Sequence, residues 1–241
     1  MTMEDVERRA VLAHRHGSGG PTPDAGPARR AVEPGPGIGP GAARRALDLL
    51  VGLVGLAALG LPLLALMVAV RLESRGPALF RQQRLGQGGR LFTLVKLRSM
   101  RVDSRGPEIT AAGDPRVTRL GRFLRSTSLD ELPQLWCVVR GQMTLVGPRP
   151  ETPLLAAGYP PDCRWVFAYR PGLTGPAQVR LRDRDVLPPE VQVDTEAYLT
   201  RLVPARTGVE SRYLAEPTLR ATVAVLTDTV RYLLGRPVPP R

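Results

Sequence analysis

The sequence predicts an α+β fold, mainly helical, in which one membrane-embedded helix leads into a small domain of short strands and amphipathic helices. Three observations carry this. Leu49 to Val70 is a run of 22 residues without a charge, which as a helix at ~1.5 Å per residue would reach about 33 Å and cross a bilayer core. Ala78–Arg84 and Leu91–Leu97 read as short strands around a glycine-rich turn, Leu85-Gly-Gln-Gly-Gly. Leu219, Val223, Leu226, Val230 and Leu233 mark one apolar face of a helix that Gly235 and Pro237 end.

Residues 1–42 read as a disordered leader. Gly17 to Gly41 holds fourteen Gly or Pro residues in twenty-five, too many for a packed core. No apolar region follows the first charges, so it is not a signal peptide. His14 and His16 lie in this leader, and the two cysteines, Cys137 and Cys163, form no CxxC. Neither a zinc site nor a disulfide framework is indicated.

The net charge is +12, which implies an anionic partner: a phosphoester, membrane headgroups or nucleic acid. Aromatics are 5% of the chain, against a base-stacking surface. Arginine supplies 33 of the 34 basic side chains, and Lys96 is the sole lysine. It is either a chance survivor of a compositional bias or a position where a compact ammonium matters.

The membrane segment, taken as residues 43–75, has arginines on both sides: Arg44 and Arg45 before, Arg71 and Arg75 after. The positive-inside rule therefore gives no orientation and equally allows both ends on one side. Pro62, near the middle, removes a helix hydrogen bond and clashes with the preceding turn. A bent, re-entrant helix and a single span with a tolerated proline both fit.

Chemistry concentrates in Leu124 to Glu151, LRSTSLDELPQLWCVVRGQMTLVGPRPE. Asp130 and Glu131 are adjacent, with Arg125 before them and Arg149 framed by Pro148 and Pro150. Ser128 followed by Glu131 reads as a capping box opening a helix from Leu129 through Val139. That would place both acids in a first turn, where free N–H groups favour anions. Plain helix capping is the competing explanation. Upstream, Arg116–Arg125 carries apolar residues at helical spacing among four arginines, either a face for anionic headgroups or a solvated surface. Downstream, Gln178-Val179 reads as the start of a strand that would align Arg180, Arg182 and Arg184 on one face. Glu196–Val203 reads as a short helix stopped by Pro204.

Five blocks in order make the sequence recognisable: Lys96-Leu-Arg-Ser-Met; Asp114-Pro-Arg-Val-Thr-Arg-Leu-Gly-Arg-Phe-Leu-Arg; Thr127-Ser-Leu-Asp-Glu-Leu-Pro-Gln-Leu-Trp; Leu145-Val-Gly-Pro-Arg-Pro; and Arg170-Pro-Gly-Leu-Thr-Gly. Over roughly Arg44 to Leu234 the chain resembles the bacterial sugar transferases, the monotopic phosphoglycosyl transferases that act on undecaprenyl phosphate. The resemblance implies transfer of a sugar 1-phosphate from a UDP-sugar to a polyprenyl phosphate, with release of UMP, at the start of exopolysaccharide or other glycoconjugate synthesis. It implies a catalytic dyad of Asp130 and Glu131, a covalent phosphosugar on Asp130, and Mg²⁺ with Asp130 as its protein ligand. Lys96, Arg125 and Arg149 would bind phosphates, and the Pro148–Pro150 turn would lie by the nucleotide.

The same resemblance implies a re-entrant helix kinked at Pro62 and a catalytic domain, residues 76–241, on the cytoplasmic face of the inner membrane. It admits a homodimer and gives nucleic acid no role. The chain departs from the family at Leu61-Pro62, where Ser-Pro is frequent, at Cys137, at Gln142 and at Pro176-Ala177. None of these touches the dyad. A catalytically silent membrane adaptor that binds nucleotide sugar or anionic lipid is the alternative, and UMP release separates the two.

Overall fold

The computed structural model describes residues 39, 41–102, 114–181 and 194–239. The leader expected over residues 1–42, apart from Gly39, Gly41 and Ala42, lies outside the described residues, as do Arg182 and Arg184.

Helix α1, Ala42–Glu73, contains the uncharged run and extends beyond it at both ends, continuing in helical form through Pro62. Its middle is largely exposed and apolar, with Leu50, Leu53, Val54, Leu61, Leu64 and Val68 all open. Both of its ends are fastened to the same body. At the start, Arg44 donates to the Val146 carbonyl at 2.8 Å and lies over the Tyr213 ring. One turn on, Asp48 accepts from Thr144 Oγ1 and the Leu145 N–H at 3.0 and 2.9 Å. At the far end, Arg98 donates to the carbonyls of Val70, Ser74 and Arg75, satisfying groups that a helix C-terminus leaves without intrahelical partners.

Strands β1, Leu79–Leu85, and β2, Leu91–Leu97, form the expected antiparallel hairpin, in register from Leu79 opposite Leu97 to Leu85 opposite Leu91. Gly88 and Gly89 make the connection at φ 66° and 74°, a region that side chains disfavour. Helix α2, Arg119–Ser126, starts at Thr118, whose Oγ1 accepts from the Gly121 N–H at 2.9 Å. A Cβ at position 121 would stand 2.0 Å from the Ser99 carbonyl oxygen. Only glycine lets α2 lie this close to the end of β2.

A six-residue 3₁₀ segment, Leu129–Gln134, then runs into α3, Leu135–Val139. Arg45 donates to the carbonyls of Val138 and Val139 at 2.6 and 2.7 Å, fixing the end of α3 to the start of α1. The expected capping box is absent: Ser128 adopts the left-handed conformation, φ 57°, and its side chain makes no cap. Pro133 has no N–H to return to the Leu129 carbonyl, so a tighter turn replaces the first α turn.

Strands β3, Thr144–Val146, and β4, Gly172–Thr174, pair in parallel, with α4, Pro153–Ala157, and a 3₁₀ stretch, Pro161–Ala168, between them. The strand expected at Gln178-Val179 is instead helix α5, Pro176–Arg180. Proline suits a first helical turn, and the helix delivers Arg180 to the fully buried Asp228 at 3.0 Å. Nor does Pro204 stop its helix. Helix α6, Thr195–Ala197, passes through a π-helical stretch, Tyr198–Leu202, into α7, Val203–Ala215, with Pro204 in the opening turn of α7. The wider π turn changes the bonding register just where proline brings no donor. Helix α8, Leu219–Leu233, ends as expected at Gly235, φ 67°.

The core has three parts. One gathers around Tyr159, Phe167, Tyr198 and Leu202; one joins Phe92 and Leu94 to α3, β3 and Tyr213; the third joins Val70 of α1 to Leu97 and Leu124. The last two include residues of α1, so this long apolar helix is part of the domain's packing.

Candidate active site

Asp130 is in the first turn of the 3₁₀ segment and is 5% exposed. The end of β2 brings Lys96 toward it and the end of α2 brings Arg125, while the turn after β3 brings Arg149 near Lys96 and Glu131. The charges of Lys96, Arg125 and Glu131 all act on Asp130, while Lys96 also feels Arg149. Residues spread over Lys96 to Arg149 thus share one electrostatic field. Among the described residues no cation lies within ion-pair distance of Asp130. None of these cations closes onto the carboxylate.

Burial, and then repulsion from Glu131, lift the Asp130 carboxyl to about 6, against the pull of Lys96 and Arg125. At neutral pH it is ionised and incompletely neutralised by the protein. Burial lowers the Lys96 ammonium; Asp130 opposes this and Arg125 adds to it. The ammonium also lies 5.5 Å from the centre of the Phe80 ring. Burial lowers the Arg125 guanidinium too, with Asp130 opposing, and Arg125 Nε donates to Ser99 Oγ at 2.9 Å. Ser99 is itself buried, so this bond aims the guanidinium. Nothing in the sequence marks Ser99 for that role.

Arg149 has solvent access although protein surrounds it closely, the situation of a side chain in a cleft. Pro148 and Pro150 on either side are buried. The Pro148 carbonyl accepts from the Gly172 N–H at 2.8 Å and that of Pro150 accepts from Arg84 Nη1 at 3.1 Å. Burial would lower the Arg149 guanidinium, but Glu151, Tyr198 and Glu131 together outweigh it and raise it.

Sequence reasoning missed the network behind Arg149. Glu151, 2% exposed, accepts from the Tyr198 O–H at 2.5 Å, and Arg84 Nη1 stands 3.9 Å from its other oxygen. Arg206 donates to the same Tyr198 oxygen at 3.2 Å. Burial raises the Tyr159 phenol, and the Glu151 charge adds to this. The place of Glu151 directly after the proline-framed arginine was the one available signal; Tyr198 is too far along the chain to be paired with it by inspection.

Two groups of arginines serve backbone carbonyls. Arg98, two residues after Lys96, is 5% exposed and donates to the carbonyls at the end of α1. Arg44 and Arg45, read as membrane flanks, hold α1 to the domain. In α2, Leu124 is wholly buried while Arg119, Arg122 and Phe123 face outward.

No cluster of three or more His, Cys, Asp or Glu side chains suited to a metal occurs among the described residues. Mg²⁺ commonly uses one or two carboxylates and completes its shell with substrate phosphates and water. Asp130 and Glu131 fit that arrangement, as two adjacent acids whose mutual repulsion adds to the effect of burial on Asp130.

Comparison with known proteins gives the family. An undecaprenyl-phosphate glucose-1-phosphate transferase of Caulobacter vibrioides, named for UDP-glucose as donor, is 50% identical over 57% of this chain and 53% of its own length. A putative undecaprenyl-phosphate N-acetylgalactosaminyl 1-phosphate transferase of Bacillus subtilis is 47% identical over 47% of this chain and 64% of its own. A UDP-galactose-lipid carrier transferase of Erwinia amylovora is 34% identical over 80% of this chain and 40% of its own. The chain thus matches roughly half the length of these relatives. Residues 40–236 match the family described as bacterial sugar transferase, and the chain belongs to that family.

Proposed function

We propose that this protein transfers a sugar 1-phosphate from a UDP-sugar to a polyprenyl phosphate through a covalent intermediate on Asp130. The observation that carries the reading is the Asp130 carboxylate itself: buried, in the field of Lys96 and Arg125 without an ion pair to either, with Arg149 acting on the neighbouring Lys96 and Glu131. Because none of these cations is closed onto that carboxylate, they are left to take up the charge of a diphosphate.

In the first step an Asp130 Oδ attacks the sugar-bearing phosphorus. The bond to the bridging oxygen breaks, and its electrons leave with UMP. In the second, an oxygen of the acceptor phosphate attacks the same phosphorus and the acyl phosphate bond breaks. The carboxylate is restored, and a diphosphate joins sugar and lipid. Splitting one transfer between two bulky anions into two displacements is the advantage of a protein nucleophile. Lys96, Arg125 and Arg149 spread over the phosphate oxygens and neutralise charge that builds up on them, and Glu131 positions the incoming phosphate. Mg²⁺ held by Asp130, Glu131 and the diphosphate would add Lewis-acid charge neutralisation.

The acceptor's phosphate lies at headgroup level, and the attachment of α1 supports a matching placement. Because both ends of α1 are fastened to one body, a re-entrant course, bent at Pro62 and with the domain on the cytoplasmic face of the inner membrane, accounts for the exposed apolar middle. Outward-facing Arg119, Arg122 and Phe123 on α2, beside the end of α1 through the Leu120 N–H to Glu73 bond of 2.9 Å, suit an interfacial helix.

The test uses purified protein, a panel of UDP-sugars and polyprenyl phosphate. Wild type should release UMP, and with donor alone should carry a phosphosugar on Asp130 detectable by mass spectrometry. Lipid-linked product formed without that adduct would overturn the covalent route. Absence of UMP with every donor would favour an adaptor that binds without reacting.

A further inference from the structure

The 3₁₀ segment and α3 form one wall of a second feature, a groove of about 560 Å³, within the range of small-molecule pockets. Pro133 and Trp136 line this wall, and Leu56, Leu63 and Met67 of α1 also line the groove. Arg81 and Arg140, both exposed, also border the groove, and the Arg140 guanidinium lies 6.0 Å from the Trp136 ring. Trp136 is 52% exposed, as suits an aromatic ring at a membrane interface.

We propose that this groove holds the first isoprene units of the polyprenyl phosphate acceptor and leads its phosphate to Asp130. The inference rests on the reaction assigned above. Three observations support it. The α1 wall belongs to the helix with the long uncharged run, so the groove adjoins hydrocarbon and favours a hydrocarbon occupant. The two arginines give the apolar groove a cationic border, complementary to an amphiphile with an anionic head. Asp130 and Pro133 lie three residues apart in a 3₁₀ segment, so their side chains share one side of it, about 6 Å apart along its axis. The groove wall therefore continues toward the nucleophile.

A phospholipid has the same amphiphilic chemistry. The register with Asp130 selects the carrier, because only the acceptor must bring its phosphate to that residue in every cycle.

The test exploits the two-step reaction. Thr93→Trp fills the groove from a lining position that is exposed on β2, and Leu63→Trp fills it from α1. For each variant, UMP release with donor alone reports whether the protein remains assembled, and KM is compared for undecaprenyl phosphate and for ethyl phosphate, a short acceptor without any isoprene unit. The expected result is a rise of roughly tenfold or more in KM for the long acceptor, little change for the short one, and a preserved donor step. Equal changes for both acceptors, or no change for either, would overturn the proposal. So would loss of copurifying phospholipid at unaltered acceptor KM, which would make the groove a phospholipid site, or a loss confined to self-association.

A second readout needs no turnover. Undecaprenyl phosphate should change the tryptophan fluorescence of wild type, and Trp136→Phe should abolish that response. A response without any UMP release would sink the assigned reaction while leaving the groove an isoprenoid site. UMP release without a response would do the reverse.

Discussion

Asp130 and Glu151 are two buried carboxylates of one site, 5% and 2% exposed, with opposite surroundings. Glu151 is held by a phenol at 2.5 Å and faces Arg84. Asp130 lies in a field of cations that do not close on it, beside a second acid, and its pKa rises to about 6. A carboxylate tied by close partners is structural material, since its lone pairs are already engaged. One that is buried, charged and unpaired raises the energy of the folded state, and protein sites keep such groups where a ligand or reaction makes use of them.

The largest effect that separates the two is on catalysis. Asp130→Asn should reduce UMP release by about a thousandfold or more, as loss of a nucleophile does, while Glu151→Gln, which still accepts from Tyr198, should retain most of it. Stability should move the other way. Because the folded-state pKa of Asp130 lies above the ordinary 3.8, ionised Asp130 destabilises the fold as pH rises through that interval. The full penalty, up to about 3 kcal/mol, applies above about pH 6. Asp130→Asn should therefore raise the melting temperature at pH 7.5 and leave it nearly unchanged near pH 4. A lower melting temperature at pH 7.5 would contradict the uncompensated charge.

Glu151→Ala removes one partner from a buried network and should destabilise by about 3–5 kcal/mol, read by chemical denaturation. If it costs no more than an exposed substitution, the contrast fails. A pH profile sharpens the same contrast: kcat/KM for the donor should fall about tenfold per pH unit below about pH 6 as Asp130 takes a proton. Asp130, as nucleophile, is needed ionised, so the limb must lie on the acid side.

The smallest effect concerns Glu210, a third buried acid. Burial pushes it up to about 8, although the Ala177 N–H and Arg206 oppose this. Wild type should lose stability between about pH 5 and pH 8 as the unfolded chain ionises first. Glu210→Gln should remove part of that slope, by roughly 1–3 kcal/mol at neutral pH. An unchanged slope would show that Glu210 is already charged in the fold.

Much of the site was legible in the sequence because its chemistry is local. Asp130 and Glu131 are adjacent, Arg149 lies between two prolines, and Lys96 stands out from a composition otherwise committed to arginine. The glycine-rich turn between two short segments, the apolar face at helical spacing and the long uncharged run likewise gave β1 and β2, α8 and α1. The errors arose where a local signal competed with a distant one. Ser128 and Glu131 have capping-box spacing, but Pro133 removes the donor that an α turn would need. Gln178-Val179 has strand character, but a buried Asp228 on α8 is met by Arg180 from a helix.

By itself, then, the sequence determined which groups are candidates for the chemistry, which run is long and apolar enough to cross a bilayer, and which family pattern the chain follows, since each depends on residue type and short spacing. Tertiary structure alone decided that Arg44, Arg45 and Arg98 serve backbone carbonyls instead of phosphates, that Ser99 aims Arg125, and that Glu151 and Tyr198 stand behind Arg149. The physical reason is that an arginine's role depends on which anion or carbonyl comes within a few ångströms, and the partners here are supplied by segments 23 to 102 residues away.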